Sequence, residues 1–365
     1  MRIYQLVPSM APGDATSNHI LEIDKRLTKW GFESHIFAQH ASPKIEKKIR
    51  PLAEIRPLLN QKNDLLIYHY NLFHFSAHLF QTAKCRRILI YHNITPAHFY
   101  TEWDKSNAKN CRLGRFSLQR LQQCDLAIGD SDFNRQELVE VGFDAAKTAV
   151  VPIFLPLDEW LALPIDTILQ KKMRKSNTTN WLTVGRIAPN KALEEVVRLF
   201  HVYKTQINPD AHLYLIGSQS IKSYSQEIKN LVDSLDLMTH VTFPGRVSDS
   251  QLKTYYQNAD LYISTSYHEG FCVPLIESMF FGLPILARNA TAIPETLGQS
   301  GILFNHLGYL ETAEMAHLMI TDTTLRQQII STQKERLQAF LPNAAEARLQ
   351  EALQQIGILS ILEST

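Results

Sequence analysis

The sequence predicts an α/β protein built as two doubly wound halves. Three observations carry that expectation. The 365 residues make about two domains of ordinary size, at ~150 residues each. Short apolar runs alternate with amphipathic stretches, the pattern of βαβ units and a parallel sheet. The alternation breaks once, where Pro152, Pro156 and Pro164 punctuate the chain ahead of the polar run Lys171–Asn180, and then starts again.

In the first half the candidate strands are Ile3–Val7, Ser34–Phe37, Leu65–Tyr70, Arg87–Tyr91, Leu126–Ile128 and Ala149–Pro152. Helical patterns lie between them, for instance Asn18–Trp30 and Phe116–Gln123. Asp132 is placed to cap a helix running from Phe133. The second half offers strands at Trp181–Val184, His212–Ile216, His240–Phe243, Leu261–Ser264, Pro284–Ala287 and Gly301–Leu303. Its helices are Leu193–Tyr203, Ser225–Ser234, Ser250–Asn258 and Leu275–Phe281, and the tail from Thr312 is helical with a break at Pro342. The expected division is therefore an N-terminal Rossmann-like domain over 1–155 and a hinge region over 156–178 containing a short helix. A C-terminal Rossmann-like domain over 179–340 follows, then a C-terminal helix over 341–365 packing back toward the first domain. Two such halves are expected to face across a cleft at the strand ends, where ligands bind in open α/β sheets.

Composition removes several classes of function. Charge is nearly balanced at +1 overall, with a net of +5 over residues 1–150 and −4 over the rest. No basic stripe dominates, so nucleic acid is not an expected partner. No apolar run approaches the ~20 residues of a membrane-spanning helix, and Met1–Pro8 reads as a first strand rather than a leader. Cys85, Cys111, Cys124 and Cys272 have no C-x-x-C spacing, which argues against zinc ribbons and thioredoxin motifs. Reduced cysteines in a cytoplasmic protein follow. None of the 14 glycines form G-x-G, there is no P-loop pattern, and His268-Glu269 does not extend to H-E-x-x-H. The usual dehydrogenases, P-loop NTPases and zincins are thereby disfavoured.

The richest segment is His268-Glu269-Gly270-Phe271-Cys272-Val273-Pro274-Leu275-Ile276-Glu277, just after a strand. Pro274 suits the first position of a helix. The N–H groups of Phe271, Cys272 and Val273 would then point out of a helix start, a ready site for a diphosphate. Glu277, one turn in, leans back toward that end and can accept two hydrogen bonds from a ribose diol. Glu269 stands where a sugar or its leaving oxygen would lie. The plainer alternative is that Glu277 only complements the helix dipole and Glu269 is solvated. The second constellation is Gly185-Arg186-Ile187-Ala188-Pro189-Asn190-Lys191, a strand end followed by a helix start. Arg186 and Lys191 can meet the same phosphates, one as a fork and one as a point charge. The alternative there is a pair of exposed surface cations.

Gly-Arg-x4-Lys followed by Glu-x7-Glu resembles the retaining glycosyltransferases of family 4, which have the GT-B fold. Gly282-Leu283-Pro284 and Ile293-Pro294-Glu295 fit the same pattern. Tyr91-His92-Asn93-Ile94-Thr95-Pro96 and Gly129-Asp130-Ser131-x-Phe133-Asn134 resemble the branch that builds bacterial surface polysaccharides. The resemblance implies that Arg186 and Lys191 bind the donor diphosphate and neutralise the leaving group. It implies that Glu277 holds the ribose, and that Glu269 with the backbone of Phe271, Cys272 and Val273 holds sugar and phosphates. Gly217 ends a strand facing the same cleft, and the loop Gly245-Arg246-Val247 lies where relatives cradle the base. From the first half, Gly13 closes over the diphosphate and His92 faces the donor sugar. Two positions depart from the pattern. A single glycine, Gly13, stands where many relatives have two, and Cys272 stands where glycine is common.

The resemblance implies a hexosyltransferase that retains anomeric configuration. Its donor is a nucleotide-sugar, with GDP-mannose preferred and a UDP-sugar next. Its acceptor is a glycan or lipid-linked sugar of surface polysaccharide synthesis. No metal and no further cofactor is expected, since Asp130-Ser131-Asp132 is accounted for by helix capping. Phe99-Tyr100-x-x-Trp103 beside Lys105, Lys109, Arg112, Arg115 and Arg120 can dock on the inner face of an anionic membrane; the plainer alternative is a solvated helix face with packed aromatics. The competing readings are a nucleotide-sugar epimerase or a phosphorylase of the same fold, and a non-catalytic partner protein.

Overall fold

The computed structural model describes residues 1–43, 45–174, 178–306 and 308–359. Residues 175–177 of the expected hinge and 360–365 of the expected terminal helix lie outside the described residues. The chain forms two compact units. One comprises Met1–Ala97, Ser106–Pro156 and the chain from Phe340 onward, and the other comprises His98–Lys105 and Leu157–Ala339.

The first unit holds seven strands: β1 (Arg2–Met10), β2 (Glu33–Ala41), β3 (Ile49–Pro51), β4 (Leu65–Tyr70), β5 (Arg86–Tyr91), β6 (Leu126–Gly129) and β7 (Thr148–Val150). They pair in the order β3-β2-β1-β4-β5-β6-β7, all parallel. Parallel sheets carry helices on both faces, so their central strands are mostly apolar; all six residues of β4 are buried. The helix Ala15–Lys29 turns Ile20, Ile23 and Leu27 inward, at the spacing of one helical face. Its first turn is fixed by Asp14, whose carboxylate accepts from the Ser17 amide at 2.9 Å. The helix Pro342–Gln355 adds Ala345, Leu349, Ala352 and Leu353 to the core made by Ile3, Ile67, Ile90 and Ile128.

The second unit holds six parallel strands: β8 (Thr179–Val184), β9 (Ala211–Ile216), β10 (Val241–Gly245), β11 (Leu261–Ser264), β12 (Ile285–Arg288) and β13 (Ile302–Phe304). Their order is β10-β9-β8-β11-β12-β13. Trp181 of the central strand β8 is fully buried. It packs on Phe200 and Tyr203 of the helix Leu193–Gln206, with ring centroids 5.7 and 4.6 Å away.

Several expectations needed correction. Strand β1 runs through Pro8 to Met10 instead of stopping at Val7. Its pairing with β4 ends at Leu6↔Tyr68, so Pro8 has only β2 beside it, and an edge position tolerates a missing N–H. β3 is a short edge strand that apolar patterning did not mark. The helix expected at Phe116–Gln123 occupies Lys105–Leu118, burying Ala108, Cys111, Gly114 and Leu118. Ser131, not Asp132, caps the next helix, its Oγ accepting from the Asn134 amide at 3.1 Å.

The region expected as a separate hinge instead forms two helices, Leu157–Ala162 and Thr167–Met173, within the second unit. Lys253 Nζ donates to the carbonyls of Leu161 and Leu163 at 2.9 and 2.8 Å, and the Asp166 amide donates to Thr254 at 2.9 Å. These bonds anchor a stretch that its prolines made look loose. Residues 98–105, expected in the first domain, also belong to the second unit.

Candidate active site

The site in the second unit starts from three glycines at adjacent strand ends. Gly185, Gly217 and Gly245 follow or end β8, β9 and β10. The Gly185 amide donates to Ile216 O at 2.9 Å, and the Gly217 amide to Gly245 O at 3.0 Å. A Cβ on Gly217 would lie 1.8 Å from the Gly185 carbonyl oxygen, so no other residue fits without moving the backbone. This close approach sets where the loop carrying Arg186 leaves the sheet. Val247 lies half-buried beyond Gly245, in the turn leading to the capping box of Ser248 and Gln251.

Lys191 closes the short turn Pro189–Lys191. Its Nζ donates to Glu269 Oε1 at 2.5 Å, with side-chain exposures of 20% and 9%. Burial alone would lower the pKa of Lys191, but the facing Glu269 carboxylate more than offsets this and holds it above the ordinary lysine value. Glu269 is fixed in turn: its amide donates to Thr291 Oγ1 at 2.8 Å, and its carbonyl accepts from the Ala292 amide at 3.3 Å. Arg186 is exposed and donates to the Tyr100 hydroxyl at 2.6 Å. A small cavity beneath the two cations is lined by Thr183, Gly185, Ser264, Thr265 and Ser266 among others.

The helix after β11 spans Val273–Phe281. Pro274 occupies its second position, one later than expected. Cys272 precedes it with φ 68° and ψ 64°, in the left-handed region that favours glycine. The preference for glycine at this position thus has a backbone cause, and the cysteine here adopts the same geometry while buried. Burial pushes its thiol pKa well above the usual range, with the Glu269 charge adding to this. Cys272 and Val273 make no amide hydrogen bond among the described residues, which leaves two donors at the helix start; Phe271, expected as a third, is not counted with them. The Phe271 carbonyl accepts from Thr296 Oγ1 at 2.7 Å. Glu277, 7% exposed, accepts from the Tyr256 hydroxyl at 2.5 Å. Burial raises its pKa to about 7, against the lowering effect of that hydrogen bond.

The structure thus brings Arg186, Lys191, Glu269, Cys272 and Val273 into one region of the second unit. Gly13 and His92 belong to the first. Gly13, φ 72°, has no neighbour where a side chain would stand. His92 differs from expectation, because its ring is not open to a sugar. Its side chain is 2% exposed, with Nδ1 at 2.9 Å from Asp130 and Nε2 at 3.0 Å from His69 Nδ1. His69 Nε2 continues the row to Gln5 at 3.0 Å. The row runs across β1, β4, β5 and β6, one residue on or just beyond each strand, and both ring nitrogens of His92 are engaged in it. Asp132 pairs with Arg135 at 2.6 Å. Among the described residues no group of three His, Cys, Asp or Glu side chains could hold a metal.

Sequence reasoning missed Tyr100, Asn190 and Tyr256 as parts of this site. For Tyr100 the structure agrees with the packed-aromatic alternative and not with a membrane-facing ring. It is 1% exposed, and Trp103 packs edge-on against Tyr224 at 5.2 Å, so both are turned inward.

Residues 164–336 match the family model of glycosyl transferases group 1. That segment contains Arg186, Lys191, Glu269 and Glu277. An uncharacterized glycosyltransferase of Haemophilus influenzae is 28% identical over 180 residues, covering 48% of this chain and 49% of that protein. The O-antigen chain mannosyltransferase B of Escherichia coli is 23% identical over 191 residues, covering 51% and 49%. The matches to these two thus span about half of each relative's length. Among solved structures, Anabaena HepE in complex with UDP and glucose superposes with a TM-score of 0.77 at 18% identity, covering 97% of this chain and 99% of that one. WaaG, a glycosyltransferase of lipopolysaccharide biosynthesis, gives 0.74 at 12% identity, covering 97% and 100%. At these identities the likeness establishes the fold: an α/β two-domain protein of GT-B type.

Proposed function

We propose that the protein is a retaining, metal-independent hexosyltransferase that uses a nucleotide-sugar donor and a glycan or lipid-linked acceptor in surface polysaccharide synthesis. GDP-mannose is the preferred donor and a UDP-sugar the next. The mannosyltransferase relative favours the first, and the UDP-glucose complex of HepE favours the second. The observation that carries the reading is the grouping of Arg186 and the Lys191–Glu269 pair with the open amides of Cys272 and Val273. Two cations and a helix start supply the positive field a departing diphosphate requires.

In this reaction the acceptor oxygen attacks the anomeric carbon on the face from which the diphosphate leaves. The C1–O bond to phosphate breaks, and the acceptor's proton passes to the leaving phosphate oxygen. Lys191 and Arg186 stabilise the charge that develops there, and Glu269 orients the sugar while holding Lys191. Glu277 accepts from the ribose diol, and Val247 and Gly217 border the nucleotide. We assign the function to the cytoplasm, with peripheral contact at the inner face of the membrane as a further proposal. Among the described residues no helix is long and apolar enough to cross a membrane.

The test has two parts. UDP, GDP and ADP are compared by thermal shift; a bound nucleotide at 100 times its Kd adds ~2.7 kcal/mol. Then Arg186→Ala and Lys191→Ala are assayed for transfer with the matching nucleotide-sugar. Turnover should fall at least ~100-fold in each, the scale of a lost charge-stabilising donor. Near-normal turnover in both would refute the assignment.

A further inference from the structure

Arg186 stands on an exposed loop, where a long side chain ordinarily samples many rotamers and loses that freedom when it binds. Here its guanidinium is already held. Its Nη2 donates to the Tyr100 hydroxyl at 2.6 Å, and it lies 5.8 Å from the centre of the Tyr100 ring. The Tyr100 hydroxyl donates to Asn190 Oδ1 at 3.3 Å, and Asn190 Nδ2 donates to the His268 carbonyl at 3.0 Å. The direction of the whole row follows from its last member. A carbonyl only accepts, so the Asn190 amide must present its nitrogen to His268 and its oxygen to Tyr100. The Tyr100 proton is then committed to Asn190, and its oxygen is left to accept from Arg186.

Asn190 is 4% exposed, and its own carbonyl also accepts from the Tyr267 amide at 2.9 Å. It therefore ties the turn that ends in Lys191 to the segment that precedes Glu269. Tyr100 extends that tie to Arg186. It comes from residues 98–105, the stretch of the N-terminal half that belongs to the second unit.

We propose that Tyr100 is a positioning residue for Arg186, anchored by Asn190, which presets the guanidinium for a nucleoside diphosphate. This rests on the reading of Arg186 as a diphosphate ligand. Tyr100→Phe removes the hydroxyl and keeps the ring, so packing and the ring-face contact survive. The measurement is calorimetric affinity for UDP or GDP, whichever stabilises the wild type. The set is wild type, Tyr100→Phe, Arg186→Ala and the double variant, each with its melting temperature recorded.

Tyr100→Phe should weaken diphosphate binding roughly 10-fold, the scale of one hydrogen bond to a charged group. In the Arg186→Ala background it should have no further effect, because a residue acting through Arg186 has nothing left to position. If Arg186→Ala weakens binding and Tyr100→Phe does not, or if the two effects add, the positioning role is overturned while the reading of Arg186 stands. If Arg186→Ala leaves affinity unchanged, the reading of Arg186 falls and the proposal with it. Should Tyr100→Phe lower the melting temperature appreciably, Asn190→Leu gives the second reading. It removes the acceptor that anchors the Tyr100 hydroxyl without adding charge, and its effect should likewise vanish without Arg186.

Discussion

Glu277 makes a prediction in which stability and binding move in opposite directions. Its carboxyl is buried, and its pKa rises from an ordinary 4.5 to about 7. A carboxyl with a raised folded-state pKa binds more protons in the native chain than in the unfolded one between those two values. Stability is therefore fully present below about pH 4.5 and is lost as pH climbs through about 7. At 1.36 kcal/mol per unit, the loss reaches about 3 kcal/mol by pH 8. Glu277→Gln cannot ionise, and its Oε1 can still accept from Tyr256. The variant should match the wild type near pH 4.5 and exceed it by up to about 3 kcal/mol at pH 8. For a unit of this size that is roughly 6–12 °C in melting temperature. The same variant should bind the nucleotide at least ~10-fold more weakly, since a neutral amide accepts poorly from a ribose diol. Calorimetric melts at pH 5 and 8, with and without nucleotide, check both halves. A gap between variant and wild type that is equal at the two pH values would refute the electrostatic argument. Unchanged nucleotide affinity would refute the ribose assignment.

Two further outcomes follow from the geometry. Glu269 competes with any diphosphate for Lys191, so Glu269→Gln should tighten the affinity for free UDP or GDP several-fold while slowing transfer; calorimetry paired with a transfer assay reads both. Lys109, Arg112, Phe116 and Arg120 lie exposed, with Phe116 54% exposed, and form the surface that a peripheral membrane contact would use. Phe116→Ser should then reduce sedimentation with phosphatidylserine vesicles at low salt, and no wild-type sedimentation there would end the idea.

What was legible in the sequence was local. Gly185 with Arg186, and Pro274 after a strand, mark strand ends because a tight exit and a helix start need particular residues at fixed offsets. The buried strands β4 and β11 are mostly apolar runs of the kind a parallel sheet requires. What escaped depended on contacts between segments far apart in the chain. Nothing in Phe99-Tyr100 announces that residues 98–105 fold with the second unit, because packing against Tyr224 and hydrogen bonding to Asn190 decide it. Tyr256 reaches Glu277 from another helix. The left-handed backbone at Cys272 is hidden because the residue there is not the glycine that would have signalled it. The row from Gln5 to Asp130 takes one residue from each of four segments, so no spacing reveals it.

That row bears on how the protein should be mutated. The Asp130 side chain is sealed from water, with the imidazole of His92 as its partner. Truncating His92 leaves that buried group without its partner, a defect on the order of 1–3 kcal/mol, whatever the side chain contributes to chemistry. An alanine scan scored by activity alone would therefore rank His92 among the essential groups merely because the molecule had come apart. A replacement that still donates to Asp130, such as Asn, whose amide can take the place of Nδ1, separates scaffold from reaction.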